Sequence, residues 1–425
     1  MSSSRLSLFA ACVLTLLLHG CGKSSNDNAN VRALNLISGV SNVTIAANST
    51  AIMTGGTFES LSGFTGVPAG TEEFKVTVPG TTGTLVDVVY SVSGSFDFTF
   101  VTTGTPGAAA GVLIADTFGS PGSNVAFRVL NLSTINPSID AYLTQPGADL
   151  ATATPVVSAA TYTTATAFVN TTPGALELRL TPAGTKDVIY DALVSLPAGT
   201  GQTVVAYSRG SGKLVNAEIL ASGTSGAIVN NLLAQFKVVN GTAVAAPLNV
   251  LVDGAQVVSN LPFAGVAPYQ TLAAGVRQVT VESSATPGAA LLSIAPTFVP
   301  ATDTSIALYG SAGALGALVL TDSNPSVATG RAELRVVNLS PDFAAVDVYA
   351  NFGKLVTGLG ANAASAYSLV NAANAGTGYQ IDFNLAGTAN VVLSVPGLAL
   401  AGGHVYTVYL LGSGPTLAGV LTQDR

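Results

Sequence analysis

One pattern, repeated four times, limits what this chain can fold into more than any other feature. It appears as VRALNLISGVSNVTIA from Val31, FRVLNLSTINPSIDAY from Phe127, FKVVNGTAVAAPLNVL from Phe236 and RVVNLSPDFAAVDVY from Arg335. Each copy has a basic residue and, three positions on, an Asn: Arg32/Asn35, Arg128/Asn131, Lys237/Asn240 and Arg335/Asn338. Nine residues beyond each Asn stand Thr44, Asp140, Asn249 and Asp347, every one between apolar neighbours. Further on, an aromatic precedes a Gly by six residues in Phe64/Gly70, Phe168/Gly174 and Tyr269/Gly275, and by three more in Tyr367/Gly376. An alternating stretch follows, such as YQIDFNL, which puts Tyr379, Ile381, Phe383 and Leu385 on one strand face. Each copy closes with an aromatic-ended strand (SFDFTF, QTVVAY, TSIALY, HVYTVY), a glycine-rich turn and a last strand (GVLIAD, AEILAS, ALVLTD, GVLTQD).

The Asn-to-Asn spacings of 96, 109 and 98 residues set the unit size. A unit of that length buries a core of its own, whereas solenoid repeats of ~20–50 residues depend on their neighbours. Gly, Thr, Val, Ser and Ala dominate, broken by frequent turn residues, and this suits short strands. The expected fold class is all-β: tandem antiparallel β-sandwiches, immunoglobulin-like or transthyretin-like, over residues 31–122, 123–225, 226–325 and 326–425. GSPGSN (119–124), SGTSG (222–226) and SNPSVATG (323–330) read as short linkers, which gives beads on a short string. Alternation along the first strand places Phe127, Val129 and their equivalents inward and the intervening Arg or Lys outward. Asn, Pro and Asp near the following turn suit hydrogen bonds that cap the backbone.

The N-terminus reads as an address. Arg5 begins a short positive region, Leu6 to Leu18 form a 13-residue apolar run, and LHGC follows. The run is too short to span a bilayer and fits a secretory leader. Leu18 and Gly20, at −3 and −1 to Cys21, resemble the lipobox of bacterial lipoproteins, although His19 stands where a small residue is usual. FAAC, ending at Cys12, has too little hydrophobic sequence before it to compete. The resemblance implies a leader over 1–20, a diacylated thiol and acylated amine at Cys21, and a flexible tether over 21–30. Gly22, where Asp would favour inner-membrane retention, implies outer-membrane sorting, facing either the periplasm or the cell surface. Several acyl chains at ~0.8 kcal/mol per CH₂ make a lasting membrane attachment.

Catalytic equipment is sparse. With the leader removed, 14 basic residues face 22 acidic ones and no basic stripe is visible, which argues against nucleic acid. His404 is then the only histidine and Cys21 the only cysteine, so thiol or His-based triads and His/Cys metal sites lack material. His404 aligns with Ser95, Gln202 and Thr304 and is expected to face solvent at a strand start. Calcium on Asp140, Asp342 and Asp347 is disfavoured, because Thr44 and Asn249 break the pattern and no Asp-x-Asp-x-Asp loop exists. Glu72 and Glu73 point to opposite strand faces and make a poor acid pair. GSAGALG, GSGPTLAG and RGSGKL imitate nucleotide loops but occupy one hairpin slot of successive copies. A sugar site favours exposed aromatics, yet Trp is absent and the aromatics fall at repeated, core-like positions. No cofactor, metal or catalytic residue is expected.

RVVNLSPDFAAVDVY and VVSNLPFAGVAPYQTLAAGVRQVTV resemble the DUF4397 family of bacterial envelope proteins. The fourth copy carries the first half of that pattern best and the third the second half. The resemblance implies a β-rich fold and no assigned activity. The expectation is therefore a non-catalytic, lipid-anchored envelope protein acting as a structural or adhesion-type interaction module, with a protein or envelope partner. The alternative is a periplasmic lipoprotein that binds a ligand or envelope polymer.

Overall fold

The computed structural model describes residues 28–208, 212–322, 327, 330–373 and 378–424, and Cys21 with its leader and most of its tether lies outside them. The first repeat contains β1 (Ala29–Ile37), β2 (Val43–Ala47), β3 (Thr50–Gly56), β4 (Ser60–Leu61), β5 (Thr65–Val67), β6 (Gly70–Thr77), β7 (Thr84–Val92), β8 (Asp97–Gly104) and β9 (Ala110–Ala115). β4 and β5 pair with one side of β1, and β8 and β9 follow on the other. The second sheet runs β3–β2–β6–β7. Between the sheets lie Val31, Ala33, Ile45, Val76 and the stacked rings of Phe74 and Phe100, 4.7 Å apart. The other three repeats use the same two strand orders around cores of their own. The chain is thus a tandem array of β-sandwiches. No helix among the described residues is long and apolar enough to cross a membrane.

One pairing in each repeat departs from the antiparallel expectation. β1 runs parallel to β8, with Val31 opposite Phe98 and Leu34 opposite Val101. Val125–Leu132 pairs in the same way with Gly201–Ser208, Leu233–Asn240 with Asp303–Ser311, and Arg331–Asn338 with Val405–Leu411. An even number of chain reversals separates the two strands, so they enter their shared sheet in the same direction.

Nor are the repeats beads on a string. β1 and β8 are buried on both faces, one against their own core and the other against the next repeat. Leu34, Leu36, Val101 and Ile114 of the first repeat pack on Leu130, Leu132, Val205, Tyr207 and Leu220 of the second. Val239 and Ala307 of the third pack in the same way on Val337, Leu339, Tyr409 and Leu411 of the fourth. Each such aliphatic side chain contributes about 1.5–3 kcal/mol when buried, so every pair is welded by a second core. The four sandwiches form two two-domain units.

SGTSG is not a linker either. It is the turn of a hairpin, because Gly226–Val229 pairs with Val215–Ala221 and extends the second sandwich past residue 225. Asn231 ends that unit: its Nδ2 donates to the Ile189 and Val215 carbonyls, and its Oδ1 accepts from the Asp191 and Leu233 amides. The 109-residue spacing also has a local cause. Between Ser138–Thr144 and Val157–Thr161 the second repeat inserts a loop with a short 3-10 turn, Leu150–Thr152, where the first repeat has a tight hairpin.

Candidate functional site

The repeated polar positions resolve first into folding devices. Asn35 Oδ1 accepts from the Ile37 amide while its Nδ2 donates to the Gly56 and Thr57 carbonyls. Asn131, Asn240 and Asn338 make the same two-sided bridge. The position nine residues on holds a β-bulge. Asp140 accepts from the Ala159 and Gly184 amides, Asn249 from Asn260, and Asp347 from Gly358 and Gly387. Ala159, Asn260 and Gly358 all have positive φ (52°, 50° and 61°), as does Gly55 at the matching bulge of the first repeat (67°). The carboxylate or amide holds the residue that the bulge turns outward. Asp342 instead accepts from the Gly414 amide. Among the described residues no three His, Cys, Asp or Glu gather as a metal site.

The repeated basic residue points away from its own core, as alternation requires, but into the neighbouring repeat and not into water. Arg32 is fully buried, and Arg128, Lys237 and Arg335 are nearly so. The repeated aromatic covers each cation: Phe64, Phe168, Tyr269 and Tyr367 lie 4.8, 4.3, 4.8 and 4.6 Å from Arg32, Arg128, Lys237 and Arg335 respectively. The last strand supplies the counter-charge. In the third and fourth repeats Asp322 accepts from Arg335, Tyr269 and Ser305, while Asp424 accepts from Lys237, Tyr367 and Thr407. Each carboxylate thus pairs with the cation of the other repeat. Burial works against the Arg335 charge, but Asp322 and Asp424 outweigh it and its pKa is raised. This cluster, closed on all sides, is structural.

His404 and the Glu pair are also accounted for. His404, partly exposed just before its strand, has Nδ1 3.1 Å from Gln423 Nε2 and its ring beside Tyr406. Glu72 is buried and accepts from Asn48, whereas Glu73 pairs with Lys75 on the outer surface. GSAGALG and GSGPTLAG are hairpin turns, and RGSGKL lies partly outside the described residues. Leu385, on the same strand face as Tyr379, Ile381 and Phe383, lies at the strand end and is 41% exposed.

What remains is the outer face of the second sheet, which differs in every repeat. One cross-strand pair on that face is Lys75/Asp87, Arg179/Asp191, Thr280/Ser293 and Asp382/Ser394 in turn. In the first repeat it is an exposed ion pair. In the second the inserted loop closes over it, with Arg179 donating to the Ala148 carbonyl. In the third it is a pair of hydroxyls. In the fourth it floors a pocket of about 800 Å³.

The sheet builds that pocket from alternate residues. On Tyr379–Leu385, Gln380, Asp382 and Asn384 face outward while Ile381 and Phe383 enter the core. Gln380 Nε2 donates to both Asp382 oxygens at 2.9 Å, and Ser394 Oγ donates to Oδ1. Asn384 is 7% exposed and its Oδ1 has no partner. Across the sheet Lys354 Nζ donates to Asp347 at 2.8 Å and lies 5.3 Å from the Tyr349 ring centre. Lys354 and the Gly358 and Gly387 amides hold the Asp347 carboxyl below its usual range, and Asp347 in turn raises Lys354.

The wall is Phe352, which is 80% exposed. It takes the second place of a two-residue hairpin turn, at φ 68°, after Asn351 at 46°. The matching turns are Asn48-Ser49 and Asp253-Gly254. The first residue does one job throughout, since Asn48, Asp253 and Asn351 accept from the Glu73, Gln278 and Gln380 amides. The second does not. A left-handed aromatic strains the backbone, and only this repeat places one there. The sequence contained the signal: NFG stands in a slot where Gly or a small residue belongs.

A family model described as a domain of unknown function, DUF4397, matches residues 29–142, 234–349 and 332–425. Most of the second repeat falls outside those matches and still has the same two sheets. No curated protein matches the chain. Among solved structures, a family CBM26 module from Eubacterium rectale Amy13K, in complex with maltoheptaose, is 9% identical with a TM-score of 0.17. That alignment covers 47% of this chain and 97% of the module. The Bacillus anthracis TIE protein is 9% identical with a TM-score of 0.16, covering 87% of this chain and 66% of that one. At those scores neither likeness carries an argument.

Proposed function

The chain belongs to the DUF4397 family, and from that premise we propose that it is a non-catalytic envelope module, lipid-anchored through Cys21 at the outer membrane. Its work is to hold a binding surface away from the lipid. The observation that carries this reading is the pairing of the repeats. The polar residues common to all copies are spent on backbone caps and on the buried ion clusters that fuse two sandwiches into one stiff body. Side chains so enclosed reach no substrate, which leaves the variable outer faces for contact. The lipobox-like Leu18 and Gly20 ahead of Cys21 support the anchor, and the polar tether, shortened because β1 already begins at Ala29, would clear the headgroups, ~25 Å at full extension. The open face on the fourth repeat, at the end of the chain far from the tether in sequence, favours the ligand-binding form of this reading.

Metabolic labelling with radioactive palmitate tests the anchor. Cys21→Ser is expected to lose the label and accumulate with its leader attached; a labelled or normally processed variant overturns it. Proteinase K on intact cells carrying a C-terminal tag then separates the two orientations. Loss of the tag means surface display, and protection until permeabilisation means a periplasmic face.

A further inference from the structure

The outer sheet of the fourth repeat has the features of a ligand site, and its chemistry narrows the ligand. We infer that the pocket walled by Phe352 binds a neutral, hydroxyl-rich ligand, a saccharide unit of a glycan chain, with one sugar face stacked on the exposed ring. This rests on the interaction-module reading and assigns that module its ligand class.

Three observations bear on it independently. Phe352 is an exposed aromatic in strained left-handed backbone, at a hairpin position where other copies have Ser49 and Gly254. Strain of this kind persists where something other than stability maintains it. Asn384 lines the pocket floor, more than nine-tenths buried, with a side-chain oxygen that no protein group satisfies. A buried acceptor left open calls for a donor from outside. Asp382, oriented by Gln380 and Ser394, places a second acceptor beside it.

Charge then selects among ligands. A cationic amine is disfavoured because Lys354 already occupies the place beside Asp347 and over Tyr349. An anion is disfavoured because Asp382 and Asp347 both line the pocket. A purely apolar ligand would leave the Asn384 oxygen without a partner and strip water from the Asp382 charge. What fits is a molecule with an apolar C–H face for Phe352 and several hydroxyl donors for the acceptors. Sequence reading opposed a sugar site because the aromatics fall at repeated positions and Trp is absent; Phe352 is an exposed aromatic that falls outside those positions.

The test is isothermal titration calorimetry on the full-length lipoprotein in detergent, against neutral oligosaccharides of glucose, xylose, mannose and N-acetylglucosamine, with alginate and chitosan as charged comparisons. Saturable binding of at least one neutral oligosaccharide is expected, weakened about tenfold or more by Phe352→Gly and by Asn384→Ala. Phe352→Gly is also expected to raise the melting temperature, because glycine relieves the left-handed strain. A merely structural Phe352 would give the opposite shift, so loss of binding with a gain in stability identifies a ligand-contact role. Absence of saturable binding to every neutral oligosaccharide at millimolar concentration overturns the inference. So does binding that Phe352→Gly leaves intact, or binding of the charged polymers alone. These results are separate from palmitate labelling at Cys21, so the ligand class and the anchored-module reading fail independently.

Discussion

The two welded pairs use the same four interface positions and fill them differently. In the third and fourth repeats two cations, Lys237 and Arg335, meet two carboxylates, Asp322 and Asp424, and the lids Tyr269 and Tyr367 each donate a hydroxyl to one of them. In the first and second repeats two arginines meet one aspartate. Ser222 stands where the second would be, and the lids Phe64 and Phe168 have no hydroxyl to give. Asp116 serves both cations, at 3.1 Å from Arg32 and 3.9 Å from Arg128. Arg32 makes up the shortfall on the Ala221 and Thr224 carbonyls, and Arg128 on that of Ala115. The missing charge enters from a place the other copies keep apolar, Glu218, where they have Val112, Leu318 and Val420. Burial raises its pKa to about 7, with Arg32 pulling it down and Glu59 pushing it up. One interface matches two cations with two aspartates, whereas the other contains a glutamate that titrates near neutral pH.

The largest expected effect comes from removing the single shared carboxylate. Asp116→Ala leaves two buried guanidiniums without an aspartate, and breaking a buried ion pair from one side costs about 3–5 kcal/mol. Asp322→Ala is expected to cost less, because Asp424 remains 3.6 Å from Arg335. Hydrogen exchange read separately in Val125–Leu132 and Arg331–Asn338 reports each unit. Equal losses in the two variants would end the distinction between the interfaces.

How much of this was legible beforehand depends on which face of a strand is in question. The repeat, the two-sheet fold and the capping role of Asn35 and its equivalents follow from spacing and turn chemistry. Alternation also correctly set Arg32, Arg128, Lys237 and Arg335 opposite their own cores. It is silent on what covers the opposite face. There was a clue in VVAY and VYLL, which read as continuous apolar runs, the mark of strands buried on both sides. Asp116, Asp322 and Asp424 ending successive last strands were another. The pocket had only Phe352 to announce it, because Asn384 and Asp382 meet Lys354 through strand register, which no linear spacing shows.

The next effect is one of pH. Glu218 has a folded pKa of about 7 against 4.5 for the ordinary side chain. A raised pKa means that the folded state holds the proton longer. Its contribution is fully favourable below pH 4.5 and is lost as pH rises toward 7. That span corresponds to roughly 3 kcal/mol. Glu218→Gln is therefore expected to flatten the fall in stability of the first unit between those values and to make it more stable than the parent at pH 8. Denaturation midpoints followed across pH check this. An unchanged pH profile in the variant would show that Glu218 is not the titrating member of the cluster.

The smallest effect is the most specific, because it asks whether the first interface can be rebuilt as the second. Ser222→Asp supplies the missing carboxylate, and hydrogen bonds to charged groups contribute about 1.5–3 kcal/mol. Part of that is offset by desolvating the new charge, so a net gain of about 1 kcal/mol is expected. Phe168→Tyr alone would bring a hydroxyl to a cluster with no Asp of its own repeat to receive it, and should be neutral or costly. Combined with Ser222→Asp, the tyrosine gains the acceptor that Tyr269 and Tyr367 already have in Asp322 and Asp424. A double-mutant cycle should then show favourable coupling of about 1 kcal/mol. Additivity within about 0.3 kcal/mol would mean that the hydroxyl lids of the third and fourth repeats are incidental. Coupling would mean that lid and carboxylate work as one device, which the first pair has given up in exchange for a proton-sensitive glutamate.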